Sequence, residues 1–85
     1  MHTKHEVIRM FERIRNLRED KDLSQKVLAE YLQIHQTTYS DYERGNLKIP
    51  PDVLIKLSKF YGVSVDYLLG LTDETQPYSQ QKKSI

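Results

Sequence analysis

The stretch SQKVLAEYLQIHQTTYSDYERG, Ser24 to Gly45, reads as a short helix, a tight turn and a second short helix closed by glycine. Leu28, Ala29 and Leu32 share one face of the first helix, Ile34 follows at the turn, and Tyr39 and Tyr42 repeat at helical spacing on the second. Ser24 is a good N-cap, because its hydroxyl can accept from a first-turn N–H. Gly45 stands where a helix commonly ends in a left-handed residue. Two such helices can pack at a steep angle and leave the outer face of the second projecting. That face carries Gln36, Thr37, Ser40 and Asp41, polar side chains able to hydrogen-bond base edges. The layout suits a pair whose second helix reads the DNA major groove.

Outward from this stretch, length and composition narrow the choices. A chain of 85 residues has room for one domain, built of short elements around one core. Apolar residues make up 38% and charged residues 29%, a balance that places the chain with folded soluble domains. There is no cysteine, which rules out a disulfide framework and any thiolate metal site. The apolar runs are only a few residues long, far short of a membrane span. The opening MHTKHEVIRMFERIR is broken by charge too often for a signal peptide, so a cytoplasmic protein is expected, nucleoid-associated when on DNA. Net charge says less: 13 basic against 12 acidic residues leave +1, without the strong basic balance of many nucleic-acid binders. Any DNA affinity must then come from a local basic rim.

Five helices are expected. The first spans about Glu6 to Glu19, with Val7, Phe11, Ile14 and Leu17 three or four apart. After the loop Asp20–Leu23 come Ser24 to Leu32 and Gln36 to Arg44. Asn46 to Ile49 link to a fourth helix begun by Pro50-Pro51, since proline at the first helical position loses no needed hydrogen bond. That helix is expected to bury Leu54, Leu57, Phe60 and Tyr61 and to stop at Gly62. Ser64 caps a short fifth helix, VDYLL, ended by Gly70. The domain is expected over residues 1–74, with a polar, mobile tail from Thr75 to Ile85. No internal repeat and no candidate strand pair is present.

From about Arg9 to Asp73 the sequence resembles the phage-repressor and Cro-like helix-turn-helix family, the xenobiotic-response-element type of transcriptional regulator. The resemblance rests on RIRNLRED before the central stretch, LSQKVLAEYL and YERG within it, and FYGVSVDYLLGLTD after it, in that order and spacing. It implies an all-α fold, a compact five-helix bundle of the lambda-repressor-like kind. It also implies a homodimer on a two-fold symmetric operator, with repression as the commonest role.

Carried over by position, the resemblance assigns roles. Gln25 would bond a phosphate at the amino end of the second helix. Gln36 would enter the major groove, where its amide can pair bidentately with adenine, and Thr37 and Ser40 would read beside it. Arg44, Asn46 and Lys48 would hold the next phosphates. Arg18 and Glu43 match a pair that joins the first helix to the end of the third, with a further phosphate contact open to the arginine.

Each role has a plainer rival. Gln36, Thr37 and Ser40 also suit a solvated helix face, and Gln25 a polar first turn. Tyr39 and Tyr42 fit the core better than base stacking. Asp41 either accepts from a cytosine amine or faces solvent, because a carboxylate repels phosphate. His2 and His5 are three apart but lack further ligands, so no metal and no cofactor is expected. Three residues depart from the family's pattern. Gln33 stands where glycine is usual, at a left-handed cost of about 1 kcal/mol. Val27 replaces the acidic member of a capping box, and His35 is a poor cap for the third helix.

No nucleophile with a histidine and carboxylate partner is apparent, and no glycine loop to cradle phosphate, so an enzyme is not expected. Two functions remain. One is a repressor bound to double-stranded DNA as a dimer through Val65, Tyr67, Leu68, Leu69 and Leu71, which offer more apolar groups than so short a helix needs. The other is a protein-interaction module, an antirepressor or partner subunit, that keeps the fold without reading DNA. No membrane and no small-molecule ligand is inferred.

Overall fold

The computed structural model describes residues 4–76, with side chains described from residue 11 onward. His2, the side chains of His5 and Val7, and residues 77–85 of the expected polar tail lie outside the described residues. Five helices follow one another: α1 Lys4–Asp20, α2 Gln25–Leu32, α3 Gln36–Arg44, α4 Pro51–Tyr61 and α5 Val65–Leu68. No strand occurs among the described residues.

The ends of these helices follow from their capping residues. At the start of α2 the Ser24 hydroxyl accepts from the Val27 N–H at 3.2 Å, and at the start of α5 the Ser64 hydroxyl accepts from Tyr67 at 3.0 Å. The α2–α3 turn is made by Gln33 in the left-handed region (φ 60°, ψ 45°). Its N–H bonds the Glu30 carbonyl, while Ile34 reaches back to the Ala29 carbonyl, satisfying carbonyls the helix leaves open. The left-handed strain at Gln33 is thus offset locally by two hydrogen bonds. His35 makes no side-chain cap for α3. Asp22 is a second non-glycine left-handed residue (φ 56°), closing α1, and carries no signal in the sequence beyond the tolerance of Asp for that region.

The core is a single cluster. Ile14 from α1, Leu28, Ala29 and Leu32 from α2, Tyr39 and Tyr42 from α3, and Val53, Leu57 and Tyr61 from α4 are buried together with Ile49, Val63 and Leu68. α4 buries two of its four expected residues, Leu57 and Tyr61, and adds Val53. Its buried stripe is Val53–Leu57–Tyr61, four apart, while Leu54 and Phe60 are only partly buried at its flank. At that flank the exposed Tyr31 of α2 packs its ring on Phe60 (centroids 4.6 Å apart) and donates its hydroxyl to the Lys56 carbonyl at 3.1 Å. Phe60 thus lies between the rings of Tyr31 and Tyr61.

α3 packs against both α2 and α1, α4 against α5, and α5 against α1. Arg13 fastens the last of these contacts. It donates to the carbonyls of Tyr67 (2.8 Å) and Thr72 and to the carboxylate of Asp73, and its guanidinium lies 4.1 Å from the centroid of the Tyr67 ring. The Thr75 carbonyl accepts from the Ser64 N–H at 3.2 Å, so the chain after α5 folds back over that helix's start.

Candidate nucleic-acid interface

α3 is two-faced because its sequence is. Tyr39, Tyr42 and Glu43 point inward and are buried, Tyr39 completely. At about 100° of turn per residue, positions one or two removed from them swing round to the outer side. Gln36, Thr37 and Arg44 are accordingly exposed there, and Ser40 and Asp41 half-buried. Beyond Gly45, Asn46 and Lys48 continue the exposed run. The result is a polar stripe with a basic end.

Asn46 is not free in the loop. Its N–H bonds the Asp41 carbonyl at 2.9 Å and its side-chain amide donates to the Asp41 carboxylate at 3.3 Å. Asp41 thus closes the end of α3 and lies on its outer face with one oxygen engaged.

The inner face is held by one carboxylate. Arg18 donates to Glu43 twice, Nε to Oε2 at 2.7 Å and Nη2 to Oε1 at 3.0 Å. Tyr39 adds its hydroxyl to Oε2 at 2.6 Å, and Gln25 its amide to Oε1 at 3.1 Å. Arg18 also donates to the Leu23 carbonyl at 2.9 Å, so its guanidinium is largely committed inside the molecule. Burial pushes the Glu43 carboxyl up, but the hydrogen bonds from Arg18, Tyr39 and Gln25 outweigh it and hold the group below its ordinary range. The Glu43 bond in turn raises Arg18. Burial pushes the Tyr39 hydroxyl far up, reinforced by its bond to Glu43, so it stays a donor. The family resemblance pairs Arg18 with Glu43, and Tyr39 lies one helical turn before Glu43. Nothing in the sequence links Gln25 to Glu43, eighteen residues on.

The residues expected at a dimer surface separate in the structure. Leu71 is 55% exposed, and Val65 and Leu69 are half-buried. Leu68 is 0% exposed, fully consumed by the chain's own core, and so is removed from that surface. Tyr67 is half-buried beneath Arg13. No described helix is long and apolar enough to cross a membrane.

A helix-turn-helix family profile matches residues 14–68. The chain is 42% identical over 71 residues to the HTH-type transcriptional regulator YobD of Bacillus subtilis, a match covering 84% of this chain and 63% of that protein. It is 43% identical over 58 residues to the HTH-type transcriptional regulator ImmR of the same organism, covering 68% and 46%. With the cryptic phage CTXphi transcriptional repressor RstR of Vibrio cholerae it shares 37% over 58 residues, covering 68% and 52%. The chain thus spans about half to two thirds of the length of these relatives. No solved structure matches it.

Proposed function

The chain belongs to the helix-turn-helix family of Cro/C1-type regulators, and from that premise we propose that it is a sequence-specific DNA-binding transcriptional regulator. One observation carries this reading: the polar stripe Gln36–Thr37–Ser40–Asp41 on the outer face of α3, whose inner face is locked by Tyr39, Tyr42 and Glu43. A reading helix must be rigid on one side and chemically legible on the other, and α3 is both.

In this reading α3 enters the major groove. Gln36 pairs with a base, Thr37 and Ser40 read beside it, and Asp41 accepts from a cytosine amine. Gln25 at the start of α2, with Arg44 at the end of α3 and Asn46 and Lys48 beyond it, bonds phosphates and fixes the register. Two copies meet through Val65, Leu69 and Leu71 and place their reading helices on half-sites about 34 Å apart. Repression is the regulatory sense that the name of the Vibrio cholerae relative supports, and a DNA-bound repressor acts in the cytoplasm, on the nucleoid.

A second reading, an interaction module that keeps the fold without DNA, is favoured by the formal charge of +1 and by a carboxylate, Asp41, on the reading face. Fluorescence anisotropy on labelled random-sequence duplexes, repeated across salt concentrations, separates the two. A DNA binder shows affinity that falls with salt at a log–log slope of about −0.9 per phosphate neutralised. Absence of binding even at low salt selects the interaction module.

A further inference from the structure

Glu43 does more than close an ion pair. Its side chain is 4% exposed, and its two oxygens accept from three helices: Arg18 of α1, Gln25 of α2 and Tyr39 of α3. The contact to Gln25 has a consequence for the outer surface. A side-chain amide can present either its oxygen or its nitrogen to a neighbour, but an ionised carboxylate only accepts. Glu43 stays ionised because Arg18, Tyr39 and Gln25 all donate to it. The amide of Gln25 is therefore fixed with its nitrogen toward Glu43. That nitrogen bears two hydrogens, and the bond to Oε1 takes one of them.

We propose that Glu43 is a positioning residue for DNA: it sets the amide of Gln25 so that the second Nε2 hydrogen is a directed donor to a backbone phosphate. The inference rests on the DNA-binding reading above. Gln25 is half-buried as the first residue of α2, directly after the Ser24 cap, where unpaired N–H groups of the first turn also gather. A phosphate oxygen accepts only, so it demands this orientation of the amide and is repelled by the opposite one. Because Tyr39 donates to the same carboxylate from α3, the phosphate donor and the reading helix share one anchor. Backbone grip and base readout are thereby held in one register.

Two measurements on the full chain test this. In the unaltered protein, the Gln25 side-chain amide is followed by NMR, its two proton signals assigned by their loss in Gln25→Ala. One proton is expected at a hydrogen-bonded shift in the free chain and unmoved by a random-sequence duplex, while the other moves when the duplex is added. Two equivalent, solvent-like protons, or a second proton unmoved by bound DNA, overturn the proposal. The second measurement is a cycle of Gln25→Ala, Glu43→Gln and both together, with binding read well below each melting temperature. Each single change should weaken binding to any duplex about three- to tenfold, the worth of one hydrogen bond, and the pair no more than Gln25→Ala alone. Strictly multiplied losses overturn the coupling. If Glu43→Gln does not fold, the NMR result decides alone. Binding undiminished by Gln25→Ala overturns the positioning role and leaves the DNA reading standing. Failure of the unaltered chain to bind any duplex overturns the reading and the proposal together.

Discussion

The ring of Phe11 lies against the backbone of Gly45, so that a Cβ at Gly45 would stand 2.5 Å from Cε2 and 2.9 Å from Cδ2 of the ring. Gly45 also has φ +80°, ends α3 and starts the loop that carries Asn46 and Lys48. Two independent reasons, backbone and packing, therefore exclude a side chain where α3 stops.

Gly45→Ala should destabilise the fold by about 1–2 kcal/mol from left-handed strain, plus roughly 1–3 kcal/mol from displacement of the Phe11 ring. Gly62 is the internal control. It has φ +68° and nothing within 4 Å of its would-be Cβ, so Gly62→Ala should show the strain alone. Urea denaturation of both variants checks the difference, and equal losses would mean that the Phe11 contact carries no energetic weight.

Glu43 should give the fold an acid limit. Its folded pKa lies below the ordinary value of 4.5, so its contribution is full above that value and is lost as pH falls through the lower folded one. Glu43→Gln should cost about 3 kcal/mol at neutral pH by leaving the half-buried Arg18 without its main counter-charge. The gap between variant and parent should narrow below pH 4.5. Denaturation series at several pH values test this; a gap constant down to pH 3 contradicts it.

Tyr61 and Tyr39 should respond oppositely to loss of the hydroxyl. The Tyr61 hydroxyl is buried without a hydrogen-bond partner among the described residues, and burial pushes it up to about 12. Tyr61→Phe should be neutral or stabilising by about 1 kcal/mol, because no bond is lost and an unsatisfied polar atom is removed. Tyr39→Phe removes a donor from the buried Glu43 carboxylate and should cost about 1.5–3 kcal/mol. Thermal melts of the two variants check the contrast. A large loss in Tyr61→Phe would reveal a bound water as its partner.

The reading face and the backbone grip should separate by sequence dependence. Gln36→Ala should cost about 1–3 kcal/mol on the preferred site and relax the preference at one base pair. Lys48→Ala should weaken all duplexes alike and reduce the salt slope by about one. Competition binding over a panel of single-base variants is the check. Equal loss on every sequence removes Gln36 from base reading, and an unchanged slope removes Lys48 from the phosphates.

What was legible in the sequence was local. Apolar spacing and the caps Ser24, Ser64, Pro51 and Gly45 locate all five helices to within about two residues, because each signal lies within one turn of the end it marks. The left-handed turn at Gln33 was readable for the same reason, through the family's glycine at that place. The face of α4 is legible in part: Leu57 and Tyr61 are buried as their spacing implies, Leu54 and Phe60 pack at its edge, and Val53, which the spacing alone does not single out, completes the buried stripe. Leu68 looked like surplus apolar surface because a four-residue helix gives too little periodicity to show which side faces the core. The Arg13–Asp73 contact and the Gln25–Glu43 bond join residues 60 and 18 apart, and no spacing rule reaches across such separations.

The most direct test of the central claim, that α3 reads DNA sequence, is selection from a pool of random duplexes at near-physiological salt, with sequencing of the bound fraction. The account predicts an enriched two-fold symmetric motif, its half-sites about one helical turn apart, and loss of that enrichment at one base pair per half-site in Gln36→Ala. Retention without enrichment, or no retention at all, would contradict it.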